Sequence, residues 1–388
     1  MKNVKIFAKT IEAEAMKQIE DMATSEAYRD CQIRIMPDCH AGKGCTVGTV
    51  IQTAGKVVPN TVGVDIGCGM LVVKLGEKDI NLSLLDRIIN ESVPSGFDVR
   101  EQSQPKDMSP FMLSRLNDLH KNTPVFDLDY IKRSLGTLGG GNHFMEYDEG
   151  DGRFAFTVHT GSRHLGLKVF NKWDRIAQRN PNAPGYLVDE DLRGYLTDMV
   201  ISQAYARFNR EVVLDKAAKI MHKINGARVE GYIKTTHNYV DFRDMILRKG
   251  AIRSYAGELM VVPFNMRDGI VVCEGRSNSE WNFSAPHGSG RCMSRADAKR
   301  HISMAEYHRQ MQGIYTTSVT PDTLDEAPEP IRTRIASWNR LGRPARFIIG
   351  CCLKSTSRMQ NNYGHKLYRS YSRLLFIWRR RQWFGPSS

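Results

Sequence analysis

Gly63-Val64-Asp65-Ile66-Gly67-Cys68-Gly69-Met70 is the stretch around which the rest of the sequence arranges itself. Glycines this dense let the backbone adopt positive φ and approach a ligand closely. Asp65 and Cys68 stand three residues apart, so one bound ion can touch both. A carboxylate beside a thiolate mixes a hard and a soft donor, which suits a borderline divalent ion better than Ca²⁺ or Mg²⁺. Leu71-Val72-Val73-Lys74-Leu75 follows as a strand. Short strands joined by glycine loops that carry polar side chains predict a site on a rigid scaffold. An isolated D-x-x-C is more often a turn with a buried thiol, so the reading depends on further donors elsewhere.

Outward from this stretch, the same form recurs. Upstream, Ile33-Arg34-Ile35-Met36 predicts a strand ending in a loop, Pro37-Asp38-Cys39-His40-Ala41-Gly42-Lys43-Gly44-Cys45, which presents Asp38, His40 and Lys43 together. Downstream, Leu135-Gly136-Thr137-Leu138-Gly139-Gly140-Gly141 can aim successive N–H groups at an anion, and Asn142, His143 and Glu146 follow it. The strand Phe154–Val158 leads into His159-Thr160-Gly161-Ser162-Arg163-His164, where Arg163 is suited to hold a phosphate bidentately. His237 lies in an extended stretch. Arg248, Lys249 and Arg253 around Gly250 suggest contact with a phosphate backbone. A last cluster, Ser284 to Arg295, contains His287-Gly288-Ser289-Gly290-Arg291. Apolar periodicity predicts helices in 10–30, through much of 80–130 and in 165–225, with Pro94 to Met108 a solvated surface connection.

His143, His159, His237 and His287 each sit in a loop beside a strand. Spacing alone leaves a joint metal site and a set of separate polar residues equally open, and does not choose among Zn²⁺, Fe²⁺ and Mn²⁺. A neutral imidazole is also a nucleophile. His287, with glycines after it and Arg291 nearby, suits attack on phosphorus better than coordination.

Composition narrows the class. Of 388 residues 41% are hydrophobic and 25% charged, as in a soluble globular protein. No apolar run is long enough to span a bilayer, and the first residues lack the apolar core of a signal peptide. Eight cysteines without regular spacing indicate neither a zinc ribbon nor a disulfide framework, and predict a reducing, cytoplasmic setting. Residues 331–388 hold thirteen Lys and Arg and no carboxylate, so the whole +13 net charge resides there. A high isoelectric point is therefore no argument that the body of the protein binds nucleic acid.

Taken together, Met36-Pro37-Asp38-x-His40-x-Gly42-Lys43-Gly44, Gly63–Met70, Leu135-Gly136-Thr137-Leu138-Gly139-x-Gly141-Asn142-His143-Phe144, His159-x-Gly161-Ser162-Arg163 and His287-Gly288-x-Gly290-Arg291-x-Met293-Ser294-Arg295 resemble the RtcB family of tRNA-splicing and RNA-repair ligases. The resemblance covers roughly 30–330 in matching order, and short connections resemble a compact bacterial branch associated with RNA repair. It implies an α/β (α+β) catalytic domain over 1–330, with mixed β-sheets surrounded by helices. It implies a GTP- and Mn²⁺-dependent ligase joining an RNA 3′-phosphate or 2′,3′-cyclic phosphate to a 5′-hydroxyl. Cys68 would bridge two Mn²⁺ ions, with Asp65, His143, His159 and His237 as the other ligands. His287 would carry the guanylate, with Asp38 near the metals and RNA. Asn142, Glu146, Gly288, Ser289 and Gly290 would hold the nucleotide, and Lys43, Arg163, Arg291 and Arg295 would contact RNA phosphates.

The resemblance stops near Pro330. Family members usually end in a strand-like segment whose lysine contacts the guanine, whereas 331–388 is Arg- and Trp-rich, and neither Lys354 nor Lys366 is assignable to that role. This segment reads either as an RNA-binding extension or as an altered sequence, and the loss of every carboxylate favours the second. Two other functions are compatible with the same residues: a metal-dependent RNA phosphoesterase, and an RNA-binding protein with impaired ligation.

Overall fold

The computed structural model describes residues 3–76, 79–103, 108–122, 126–150, 153–182 and 185–331, together with the backbone of 345–350 and 375–377. The reading of 331–388 as an extension or an altered sequence otherwise lies outside the described residues. In chain order the elements begin β1 (Val4–Ile6), α1 (Ala13–Thr24), β2 (Gln32–His40), β3 (Val47–Gln52) and β4 (Gly69–Leu75). Then come α2 (Leu82–Ser92), α3 (Pro110–Asn122), α4 (Leu128–Ser134), β5 (Phe144–Gly150), β6 (Arg153–Thr160), α5 (Arg163–Arg179) and α6 (Asp189–Asn225). Strands β7 (Val229–Thr236), β8 (Asn238–Asp241), β9 (Ile246–Lys249), β10 (Ala251–Arg253), β11 (Leu259–Pro263), β12 (Ile270–Gly275) and β13 (Ser284–Pro286) follow. α7 (Arg295–His301), α8 (Met304–Gln310), β14 (Ala345–Gly350) and β15 (Leu375–Ile377) complete the set.

The fold is α/β. One five-stranded sheet runs β1-β2-β3-β9-β8, with β1 parallel to β2, and a second, antiparallel one runs β15-β5-β6-β4-β7. Two smaller sheets are β11-β12-β14 and β10-β13. Strand alternation divides the core. Leu71, Val73, Phe156 and Val158 turn one face of the second sheet towards α2 and α6, whereas Met70, Val72, Phe144 and Ala155 pack on Val261, Ile270 and Val272.

The helices predicted from periodicity form, but two local expectations need correction. The segment expected as a loop from Pro37 is strand as far as His40, with the pairing to β3 slipping between Ile35 and His40. Proline has no N–H for the ladder, so an irregular stretch is where a strand tolerates it. The connection from Pro94 is not simply solvated. The Leu138 amide donates to the Pro94 carbonyl (2.8 Å), and that of Gly96 to Gly139 (2.9 Å).

The long helix α6 organises the site. Acidic Asp189, Glu190 and Asp191 open it and His222 and Lys223 close it, matching the helix dipole, and Gly226 caps it at φ 72°. Its buried face carries Tyr195, Met199, Tyr205, Val213 and Ala217, and among them the polar residues Asp198, Ser202, Asn209 and Arg210.

Candidate metal centre

Four of the five expected metal donors arise from the second sheet. Cys68 directly precedes β4, His143 directly precedes β5, His159 lies near the end of β6, and Asp65 stands in the turn before Cys68. His237 is the one residue between β7 and β8, where the chain passes from one large sheet to the other. Its amide donates to the Cys68 carbonyl (2.9 Å).

These side chains converge. Cys68 Sγ is 3.3 Å from His159 Nε2 and 3.5 Å from His143 Nε2. His159 Nε2 is 3.3 Å from His237 Nε2, and His143 Nε2 is 2.8 Å from Asp65 Oδ2. Two groups result, Cys68/His159/His237 and Asp65/Cys68/His143, and they share the thiol. The Nδ1 atoms lie at the backbone carbonyls of Leu138 (His143, 3.0 Å) and Asn142 (His159, 2.9 Å). An Nδ1–H donating there leaves each Nε2 with a lone pair aimed inward, the usual preparation of a ligating imidazole. The 3.3 Å separation of the His159 and His237 Nε2 atoms is that expected of two nitrogens bound to one ion at about 2.1 Å. The donor set therefore fits divalent ions.

Burial controls the charges. It pushes His159 and His237 well below the usual imidazole range, reinforced by neighbouring His143 and His287 respectively, so both rings are neutral at pH 7. Burial of Asp65 opposes its ionisation, but His143, Cys68 and Arg163 together outweigh it and hold the carboxyl at about 2. Burial and Asp65 raise the Cys68 thiol well above its ordinary value, with Arg210 opposing. Gly161 is needed beside Asp65, because a Cβ there would overlap the carboxylate. The Asp65 carboxylate also accepts from the Ser162 amide (3.1 Å).

Next to this centre His287 follows β13, its ring 5.0 Å from that of His237. Its Nδ1 is 2.8 Å from Asp38 Oδ2, which also accepts from the Gly288 amide (3.2 Å). Asp38 comes from β2 and is 2% exposed, so this pair joins the first sheet to the centre built by the second. Ser289 donates to the Pro263 carbonyl (3.5 Å), and Gly290 turns back against Asp38 at φ 73°. Burial above all, with His287 and Arg291 nearby, depresses His40 to about 4 and leaves it neutral. Glu146 lies on β5 opposite Thr157 and is buried. Burial and Asp148 raise its carboxyl well above the usual range, and Oε1 has no hydrogen-bond partner. Asn142 is exposed.

Of the cations expected to contact RNA, Lys43 is exposed. Arg163 turns inward, donating to Thr137 Oγ1 (3.0 Å) and the Gly96 carbonyl (2.9 Å). Arg295 pairs with Asp325 (2.6 Å) and Glu326, and Arg291 donates to the Asp325 carbonyl and lies 3.6 Å from Glu326. A phosphate must compete with these internal partners. The phosphate-backbone contact expected of Arg248, Lys249 and Arg253 is corrected by their surroundings. Arg248 is fully buried between Asp241 (3.7 Å) and Asp244 (3.5 Å), Arg253 pairs with Asp241 and Glu258, and Lys249 donates to the Asn60 carbonyl (2.8 Å).

Two residues that the motifs did not reveal hold the centre together. Arg210 on α6 donates to the carbonyls of Gly67 (2.9 Å) and Thr160 (2.7 Å), tying the Cys68 turn to the His159 strand. Asn209 accepts from the Gly136 amide (2.7 Å) and donates to the Thr137 carbonyl (3.0 Å). Their only signal in the sequence is polarity within an amphipathic run, which Asp198 and Ser202 on the same buried face share.

The sequence profile described as "tRNA-splicing ligase RtcB" matches residues 18–123 and 126–333. The chain is 28% identical to the RNA-splicing ligase RtcB of Escherichia coli K12, over 84% of this chain and 90% of that one. It is 26% identical to the tRNA-splicing ligase RtcB of Archaeoglobus fulgidus, over 82% and 85% respectively. To the RNA-splicing ligase RtcB of Mycobacterium tuberculosis the figures are 25% identity, 69% and 82%.

Proposed function

This chain belongs to the RtcB family of tRNA-splicing ligases, and on that premise we propose that it seals RNA, joining a 3′-phosphate or 2′,3′-cyclic phosphate end to a 5′-hydroxyl end with GTP and two Mn²⁺ ions. The observation that carries the reading is the His287–Asp38 pair set directly beside the converged donors Cys68, His159 and His237.

With Nδ1–H donating to Asp38, the lone pair of His287 lies on Nε2, the tautomer a nucleophile needs. His287 Nε2 forms a bond to the α-phosphorus of GTP as pyrophosphate leaves. Asp38 stabilises the positive charge that develops on the ring. A 2′,3′-cyclic end is first opened by water to the 3′-phosphate. The guanylate then passes to that 3′-phosphate, freeing His287, and the 5′-hydroxyl oxygen attacks the activated phosphorus, losing its proton to solvent and expelling GMP. Asp65, Cys68, His143, His159 and His237 would hold the Mn²⁺ ions, which when bound would supply positive charge to offset that on the phosphoryl oxygens. Asn142, Glu146 and the Gly288-Ser289-Gly290 turn hold the nucleotide, and the unpartnered Glu146 Oε1 supports that assignment. Exposed Lys43 is assigned to an RNA phosphate, and Arg163, Arg291 and Arg295 would reach one only by exchanging the internal partners described above.

Incubation with radiolabelled GTP and Mn²⁺ tests the reading. The expected result is a covalent, acid-labile label on the wild type that is absent from His287→Ala. A wild type that takes up no label refutes it, and GTP-independent RNA hydrolysis indifferent to His287→Ala favours a phosphoesterase instead.

A further inference from the structure

Beside the His143 cluster lies a group of rings that the chemistry above does not use. Phe97 is 53% exposed, yet its backbone is firmly held. Gly96 just before it donates to Gly139 (2.9 Å) and accepts from Arg163 (2.9 Å), and the Phe97 carbonyl accepts from the Tyr130 hydroxyl (3.4 Å). Gly139 in turn lies against His143, whose Nδ1 a Cβ at 139 would approach to 2.9 Å. The Tyr130 ring meets His164 edge-on with centroids 5.4 Å apart. His164 stands in the first turn of α5, directly after Arg163. Burial, then Lys168 and Arg163, lowers its titration, so the ring is neutral at pH 7. Lys168, one turn further along α5, has no ion-pair partner among the described residues.

A single exposed aromatic needs no explanation. Here an exposed ring on a backbone tethered to the loop that carries a metal donor is joined through its carbonyl to an edge-on pair of rings, with Arg133 over the Tyr130 ring (5.9 Å) and, on α5, a cation without an ion-pair partner among the described residues. Aromatic faces interleaved with cations are how proteins hold unpaired nucleic acid without reading its sequence. We propose that Phe97, Tyr130 and His164 form a stacking platform for an unpaired base of the RNA close to the ends being joined, with Lys168 meeting an adjacent phosphate. The proposal deepens the RNA-ligase reading and rests on it for the identity of the occupant.

The test is the affinity of the full chain for a fluorescent single-stranded RNA with a 5′-hydroxyl end, measured by anisotropy against salt, with a blunt RNA duplex as the second probe. Phe97→Ala and Phe97→Leu are expected to weaken single-strand binding roughly 5- to 100-fold, and Phe97→Tyr to restore it. Phe97→Leu keeps apolar area without a π-face, so it separates stacking from hydrophobic contact. Lys168→Ala is expected to lower the slope of log affinity against log salt by about 0.7. Thermal melts establish that each variant is folded. Equal affinity of wild type, Phe97→Leu and Phe97→Ala for the single strand overturns the platform, as does an equal loss for the duplex. A wild type that binds single strands but takes no label from GTP defeats the ligase reading alone, since the Phe97 comparison is read from binding.

Discussion

Replacing Arg210 with methionine tests whether α6 holds the metal centre together. Arg210 is 4% exposed, and one terminal nitrogen serves the carbonyls of both Gly67 and Thr160. Hydrogen bonds from a charged donor are worth about 1.5–3 kcal/mol each, so the pair contributes about 3–6 kcal/mol before offsets. Methionine removes the burden of a buried cation, which burial shows by lowering the guanidinium to about 10 against the pull of Cys68 and Asp65. The expected loss is about 3 kcal/mol, seen as a lower urea midpoint of the metal-free protein at unchanged slope. Because those carbonyls belong to the turn before Cys68 and to the residue after His159, cobalt(II) affinity is expected to fall about 10- to 100-fold, followed through the thiolate absorption. Arg210→Lys keeps the charge without the planar fork and is expected to fall between the two. A methionine variant with the wild-type midpoint and wild-type cobalt affinity refutes the view that this helix sets the ligand geometry.

Other outcomes follow from the same geometry. Asp38→Asn keeps an oxygen for His287 Nδ1 and the Gly288 amide but removes the negative charge that stabilises the developing imidazolium, so guanylation is expected to slow about 10²- to 10⁴-fold in a single-turnover assay with the urea midpoint little changed. Gly161→Ala drives a methyl into the Asp65 carboxylate and is expected to weaken cobalt binding and to lower stability by about 1–3 kcal/mol. Metal uptake at pH 7 is expected to release at least one proton, measured by calorimetry in buffers of different ionisation enthalpy. The source is Cys68, whose thiol is raised, since Asp65 is already ionised and His159 and His237 are already neutral. The metal-free protein is also expected to lose stability as pH falls below about 6.5. His159 and His237 are held below their unfolded values, so the unfolded chain takes up protons first, and His237→Gln should flatten that decline in urea midpoints.

The alternation of short apolar runs with glycine clusters was legible along the chain because strand pairing and tight turns are local demands on residue type. So were the identities of Asp65, Cys68, His143, His159, His237 and His287, since few side chains supply a lone pair or a negative charge at a loop beside a strand. Whether they meet was not legible. Cys68 and His159 are 91 positions apart, and only the β4–β6 register brings their side chains within 3.3 Å. Arg248 and Arg253 read as free cations, because nothing in their own segment shows that Asp241 and Asp244 fold back to neutralise them. Arg210 and Asn209 do not stand out in the sequence, because their partners are backbone carbonyls and an amide that every residue possesses. Sequence by itself therefore determined which chemistry the Gly63–Met70 turn can take part in. Tertiary structure alone decided which charges are left to do it, because burial and long-range pairing, not residue type, determine where a charge is cancelled.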